Sequence, residues 1–236
     1  MKKLLSLLNS QKIRGKKMTL DTSKTLGGIG AILLLIGIIP FIQYIWIIGL
    51  VGVVLILAAL HGLESFYNSK GIFSNAIYGI ITGVVGVIIA VIVAVASLIA
   101  NIGNINAFIS TVYPDWNGDW STLSGLSPTT ANVNPSDLIP LISGLIITFV
   151  AVFVVVWVFA IISTFFFRRS LTQVKDKTNV GLFGTAGVLL FIGAILIIAV
   201  GFGFLLMWIA ILLLAIAFFT IKTPTQQMSS AMPPPP

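Results

Sequence analysis

The stretch LGGIGAILLLIGIIPFIQYIWIIGLVGVVLILAALHGL, Leu26–Leu63, runs for 38 residues without an Asp, Glu, Lys or Arg. A helix rises about 1.5 Å per residue, and the hydrocarbon core of a bilayer is about 30 Å thick. As one helix the stretch would be roughly 60 Å long, twice the bilayer. It therefore reads as a hairpin of two membrane spans. Pro40, which has no backbone N–H to donate, marks the break beside the interfacial pair Gln43 and Tyr44.

The same arithmetic applies outward along the chain. Leu182–Ile221 is an uncharged run of 40 residues and reads as a second hairpin, broken at VGFG, Val200–Gly203, where two glycines permit a tight turn. Ile72–Ala100 and Leu138–Phe167, at 29 and 30 residues, are too short to cross twice and long for one upright crossing, so they tilt or protrude. The predicted fold is all-α, a six-helix transmembrane bundle: short hairpin, two long helices, short hairpin. Composition agrees, with 58% hydrophobic residues, 8% charged residues and a mean hydropathy of +1.12, against about 25% charged in soluble domains. The chain parses into a basic segment 1–24, a membrane domain 25–222 with an outer loop 101–137 and a cytoplasmic loop 168–181, and a Pro-rich tail 223–236 expected to be disordered.

Charge placement sets the threading. Of the 13 Lys and Arg residues, seven precede the first span, Lys70 follows the second, and Arg168, Arg169, Lys175 and Lys177 follow the fourth; Lys222 follows the sixth. With six spans all of them fall on one side. The positive-inside rule then puts both termini in the cytoplasm of a cell-membrane protein. The net charge of +7 is accounted for by topology, so nucleic acid is not an expected partner. The lipid bilayer is; a membrane-protein partner or a second copy is the other class left open.

Several chemistries lack their residues. There is no Cys and one His, so thiolate chemistry and a multi-His metal site within one chain are excluded. No span carries an Asp, Glu, Lys or Arg inside its apolar run, which argues against proton pumps and voltage sensors. It leaves open a pathway built from carbonyls or hydroxyls. No cofactor, metal or catalytic set is expected.

Two groups of polar residues stand out. His61 and Glu64, the single His and single Glu, lie three apart, on one face of a helix. They read either as a proton-handling pair at the cytoplasmic surface or, as favoured here, as the polar collar ending the second span. In the third span Gly79, Gly83 and Gly86 are small residues at helical spacing, which let helices approach closely in lipid. Asn75, Tyr78 and Thr82 decorate its inner half. That pattern reads as a packing seam, with a polar half-channel as the sharper alternative. In the outer loop Asp115, Asn117 and Asp119 imitate the start of a calcium loop, but Trp120 and Leu126 stand where Gly and Glu are needed. Asn117-Gly118 favours a tight reversal, and Trp116 and Trp120 suit the interface. Met18 offers a second start, after which LDTSK caps the first span.

A faint internal repeat links GIGAILLLIGII (Gly28–Ile39) to GTAGVLLFIGAI (Gly184–Ile195), each opening a hairpin of the same orientation. FYNSKGIFSNAIYGIITGVVG (Phe66–Gly86) and FRRSLTQVKDKTNVGLFGTAGVLLFIGAILIIAVGF (Phe167–Phe202) carry a resemblance, together with TLGGIGAILLLIG (Thr25–Gly37) and AFFTIK (Ala217–Lys222). They resemble the archaeal integral-membrane family called domain of unknown function 996. The likeness covers most of 25–222, apart from the outer loop. It implies an archaeal multi-pass membrane protein and supplies no activity, substrate or site. Its stretch Phe167–Gly181 is the best candidate for a cytoplasmic contact surface, where the lipid-facing basic residues Arg168, Arg169, Lys175 and Lys177 either bind lipid head groups or, as favoured here, only orient the chain. The sequence thus points to a structural or accessory membrane component without catalysis. A transporter or channel for a small neutral solute is the alternative.

Overall fold

The computed structural model describes residues 18–38, 45–129, 135–198 and 201–222. The helices are α1 (Leu20–Gly37), α2 (Ile45–Tyr67), α3 (Ile72–Ala100), α4 (Ile102–Val112), α5 (Pro135–Thr178), α6 (Gly181–Ile195) and α7 (Phe202–Thr220), with short 3-10 turns at Trp120–Gly125 and Leu196–Ile198. Among the described residues there is no strand, and six helices are long and apolar enough to cross a membrane. In lipid every backbone N–H and C=O has to be satisfied within the chain, which is why apolar runs of this length become helices.

Both hairpins form. α1 starts behind Thr19, whose hydroxyl accepts from the Thr22 N–H at 3.2 Å. α1 and α2 are separated by 38–44, of which 39–44, with the expected break at Pro40, Gln43 and Tyr44, lie outside the described residues, as do 1–17 and the tail from 223. The second hairpin turns at Gly201, whose φ of +91° is left-handed and suits glycine.

The chain divides into two units, and the divisions fall within α3 and α5. The first holds residues up to Thr82 and from Ile161 onward. Its core is built from Leu60, Leu63, Ile72, Leu171, Val174, Phe183, Phe218 and Ile221, all nearly or fully buried. With Leu20 of α1, these side chains cluster where α1, α3 and α6 begin and α2, α5 and α7 end. The hairpins close through bare backbone. A Cβ placed on Gly30 would lie 2.7 Å from the Gly52 carbonyl oxygen, and one on Gly193 would lie 2.9 Å from that of Gly203. α7 packs back on α1, with the Phe218 ring occupying the space beside Gly27. Phe183 meets Phe218 edge to face at 5.1 Å.

The second unit holds Gly83–Ala160. Gly86 lies beneath Phe159, and the Asn101 side chain fills the space beside Gly144. Ala90 and Ile109 are the buried hydrophobic residues described there.

Two sequence expectations need correction. The segment 168–181, expected as a loop, is helical through Thr178, leaving Asn179 and Val180 before α6. Leu171 and Val174, three apart and buried, keep an apolar stripe on that helix. It stops only where Asn179 takes a φ of +55°. The segment 101–137, expected as a loop, contains α4, a 3-10 turn and the start of α5.

Enlarging a hairpin glycine should unfold the protein sooner. Gly30→Leu and Gly203→Leu should each cost about 1–3 kcal/mol through overpacking. Gly103→Ala, where a Cβ meets nothing within 4 Å, should stabilise α4 by up to about 1 kcal/mol. Thermal unfolding in mild detergent reads all three, and the opposite signs are the expected result.

Candidate functional site

The reversal between α2 and α3 is built on left-handed backbone, with φ of +48° at Asn68 and +125° at Gly71. It brings the half-buried Glu64 onto the start of α3. One carboxylate oxygen, Oε2, accepts from the backbone N–H of Gly71 at 3.1 Å and of Phe73 at 2.7 Å. The first N–H groups of a helix have no partner within it, and its N-terminus carries partial positive charge. Glu64 answers both demands and caps α3 from across the turn. His61 is exposed, and its ring stands edge-on to Phe73 at 4.8 Å. No hydrogen bond joins His61 to Glu64 among the described residues.

The polar residues of α3 do not converge either. Asn75 Nδ2 donates to the Gly71 carbonyl one turn back, at 2.7 Å. Tyr78 is exposed and tilted against the Phe166 ring at 5.9 Å. Thr82 and Gly83 are half-buried. Gly79 faces Phe167, and Gly86 faces Phe159. The polar links between the helices come instead from α5. Ser163 Oγ donates to the Gly79 carbonyl at 2.8 Å, and Ser170 Oγ to the Ile72 carbonyl. These serines were missed in the sequence. Their spacing of seven, which puts both on one helix face, was the signal available.

In the outer segment the calcium-like residues are used locally. Asn117 Oδ1 accepts from the Asp119 N–H at 2.9 Å around Gly118, whose φ is +92°. Asp119 Oδ1 accepts from the Ser121 N–H and hydroxyl at 2.9 and 2.8 Å. The backbone bond, helped by the hydroxyl, holds the Asp119 carboxyl below its ordinary pKa. Trp116 and Trp120 meet edge to face at 5.3 Å.

The basic residues are the ones the structure brings together. Arg168 lies over the Phe191 ring and Arg169 over the Phe165 ring, each 5.5 Å from the centroid, a cation–π arrangement. The Lys175 stem crosses α6 at Gly184, where a Cβ would come within 2.7 Å of its Cδ. Arg168 and Thr172 line two adjoining grooves, of about 460 Å³ towards α6 and about 410 Å³ towards Phe165. Lys175 lines the first and Arg169 the second; no acidic residue lines either. Lys177 is exposed and lines neither. Thr172, Gly184 and Thr185 were not singled out in the sequence, because only the packing of α5 on α6 gathers them.

A family described as a protein of unknown function (DUF996) matches residues 48–212. The chain belongs to this family. The DUF996 stretch begins in α2 and ends in α7, so it includes the Glu64 cap, both grooves and the outer segment that the resemblance did not cover. No curated protein and no solved structure matches the chain.

If Glu64 is a cap, its loss should be a matter of stability. Glu64→Ala should cost about 1 kcal/mol, in the range of a lost N-cap. His61→Gln should stay within about 0.5 kcal/mol of the parent, as exposed positions do. Thermal melts of both variants test this; equal losses would contradict the assignment.

Proposed function

We propose that this protein is a structural or accessory membrane component that works through helix contacts, without catalysis. The observation that carries the reading is the exposed apolar surface of the 83–160 unit. Ile92, Ile147 and Phe149 are 61%, 68% and 72% exposed there. Such side chains require lipid or another helix against them. Within that unit Gly86 and Ala90 are buried on α3, a short seam that is already closed. The position of Glu64 supports the same reading, since its Oε2 accepts from two backbone N–H groups at the start of α3. A mild-detergent pull-down with partner identification tests it. A stoichiometric membrane partner or a second copy is the expected result; a chain recovered alone and monomeric contradicts it.

A second reading, transport of a small neutral solute, has one observation in its favour. The repeated stretches place Gly37 and Gly193 in equivalent positions, and each faces a glycine of the next helix, Gly49 and Gly203. Parallel repeats of this sort occur in transporters. Solute flux in proteoliposomes would favour it over the accessory role.

The orientation is part of the proposal. All described Lys and Arg residues lie in the first unit, on the first turns of α1, in the α2–α3 turn, on the last 11 residues of α5 and after α7, and we place these segments, with both termini, on the cytoplasmic side. The chain has no native Cys, so single cysteines at Ser121 and Thr172 can be labelled from outside intact cells. Only the first should react; equal labelling would refute the threading.

A further inference from the structure

The two grooves that share Arg168 continue into an apolar track. Gly181, Gly184, Thr185 and Val188 follow one another along one stripe of α6, and the exposed Ile192 and Ile195 extend it. The polar end of this stripe faces Arg168 and Lys175. Lys175 borders the stripe at Gly184 and the Arg168 guanidinium stands over Phe191 beside it, so Ile192 and Ile195 are the part that continues beyond Phe191, in a helix long and apolar enough to span.

We propose that this face binds an anionic phospholipid, with the headgroup phosphate in the groove between α5 and α6 and an acyl chain along the Val188–Ile195 stripe. The proposal stands independently of the accessory and transport readings. Charge complementarity supports it first. Arg168, Arg169 and Lys175 line the grooves and no acidic residue does; Asp176, next to Lys175 on α5, lines neither, and among the described residues none of the three cations makes an ion pair. A guanidinium presents a planar fork of N–H donors that matches phosphate. Stacking on Phe191 and Phe165 holds both forks in place, so little side-chain freedom is lost on binding. Thr185 is exposed and lines the same groove. Gly181 leaves backbone uncovered there, with nothing within 4 Å of where a Cβ would stand. Thr172 is less available as a donor, because its hydroxyl already donates to the Arg168 carbonyl at 2.8 Å.

The apolar track decides between two sources of the same chemistry. A free phosphate would use the cations and leave Val188, Ile192 and Ile195 idle. A phospholipid uses both ends of the stripe. The groove also sits where the uncharged run of α5 ends, at Phe167, the depth at which headgroups lie.

Native mass spectrometry of the full chain in mild detergent, titrated with phosphatidylglycerol or phosphatidylcholine, tests the site. Phosphatidylglycerol should be retained in preference. The double variant Arg168→Gln with Lys175→Gln should weaken its binding roughly tenfold or more, in line with the contribution of basic residues at anionic surfaces. Lys177→Gln, a nearby cation outside both grooves, should change it by no more than about twofold. Thr185→Phe fills the groove at an exposed position without removing charge. It should also weaken binding, and it serves if the double variant does not fold. Inorganic phosphate in large excess should not displace the lipid. Equal retention of the two lipids, an equal loss with Lys177→Gln, unchanged binding with Thr185→Phe, or displacement by free phosphate would each overturn the proposal.

Discussion

Lipid does not press two apolar helices together as water does, because the acyl chains are as apolar as the side chains. Helix contacts then depend on how closely two backbones can approach. In this protein the approach is set at Gly30 with Gly52 and at Gly193 with Gly203, where neither side has room for a Cβ. Dispersion contacts are individually small and accumulate only at close range. The glycine crossings bring larger neighbours within that range. Phe183, Phe218, Leu60 and Leu63 can then be buried around them. The cost of a Cβ at these crossings is the cost of separating whole helices.

A bundle built this way still has to satisfy the polar groups at its helix ends. Here the titratable residue that looked most like chemistry is spent on structure. Glu64 supplies the acceptor that the first turn of α3 lacks, and Ser163 and Ser170 tie α5 to carbonyls of the same helix. Hydroxyls serve well for this because each brings its own donor and adds no charge to be desolvated. The result is that polarity inside the first unit is consumed in pairs. Among the described residues the charged side chains left without a partner are exposed or, at Lys24, half-buried, and the cations of α5 are among the exposed ones.

The sequence made the spans legible because length against bilayer thickness is a strong constraint. The 29-residue α3 matches its uncharged run residue for residue, and Gly201 falls in the expected break. What it obscured was the end of α5. Charge was read as loop over 168–181, yet RRSLTQVKDKT has no helix breaker, and Leu171 and Val174 sit at helical spacing. A helix does not stop at the membrane surface merely because its side chains change. The Glu64 cap was illegible for another reason. It joins residues seven and nine apart through two left-handed positions, a geometry that no residue pattern specifies. The grooves required α5 and α6 to be packed before Thr172, Gly184 and Thr185 could be seen as neighbours.

That unexpected helical extension changes what the basic residues of α5 can do. Setting the threading of a membrane chain requires only that positive charge be present near the right end of a span. Mobile lysines on a solvated loop would serve. Fixing the same charges on a packed helix sacrifices conformational freedom, which for Lys and Arg side chains is on the order of 2 kcal/mol each. Arg168 and Arg169 are laid on phenyl rings, and the Lys175 stem is threaded past Gly184. Topology alone gains nothing from that order. Recognition of a ligand does, because the freedom is already surrendered before the ligand arrives.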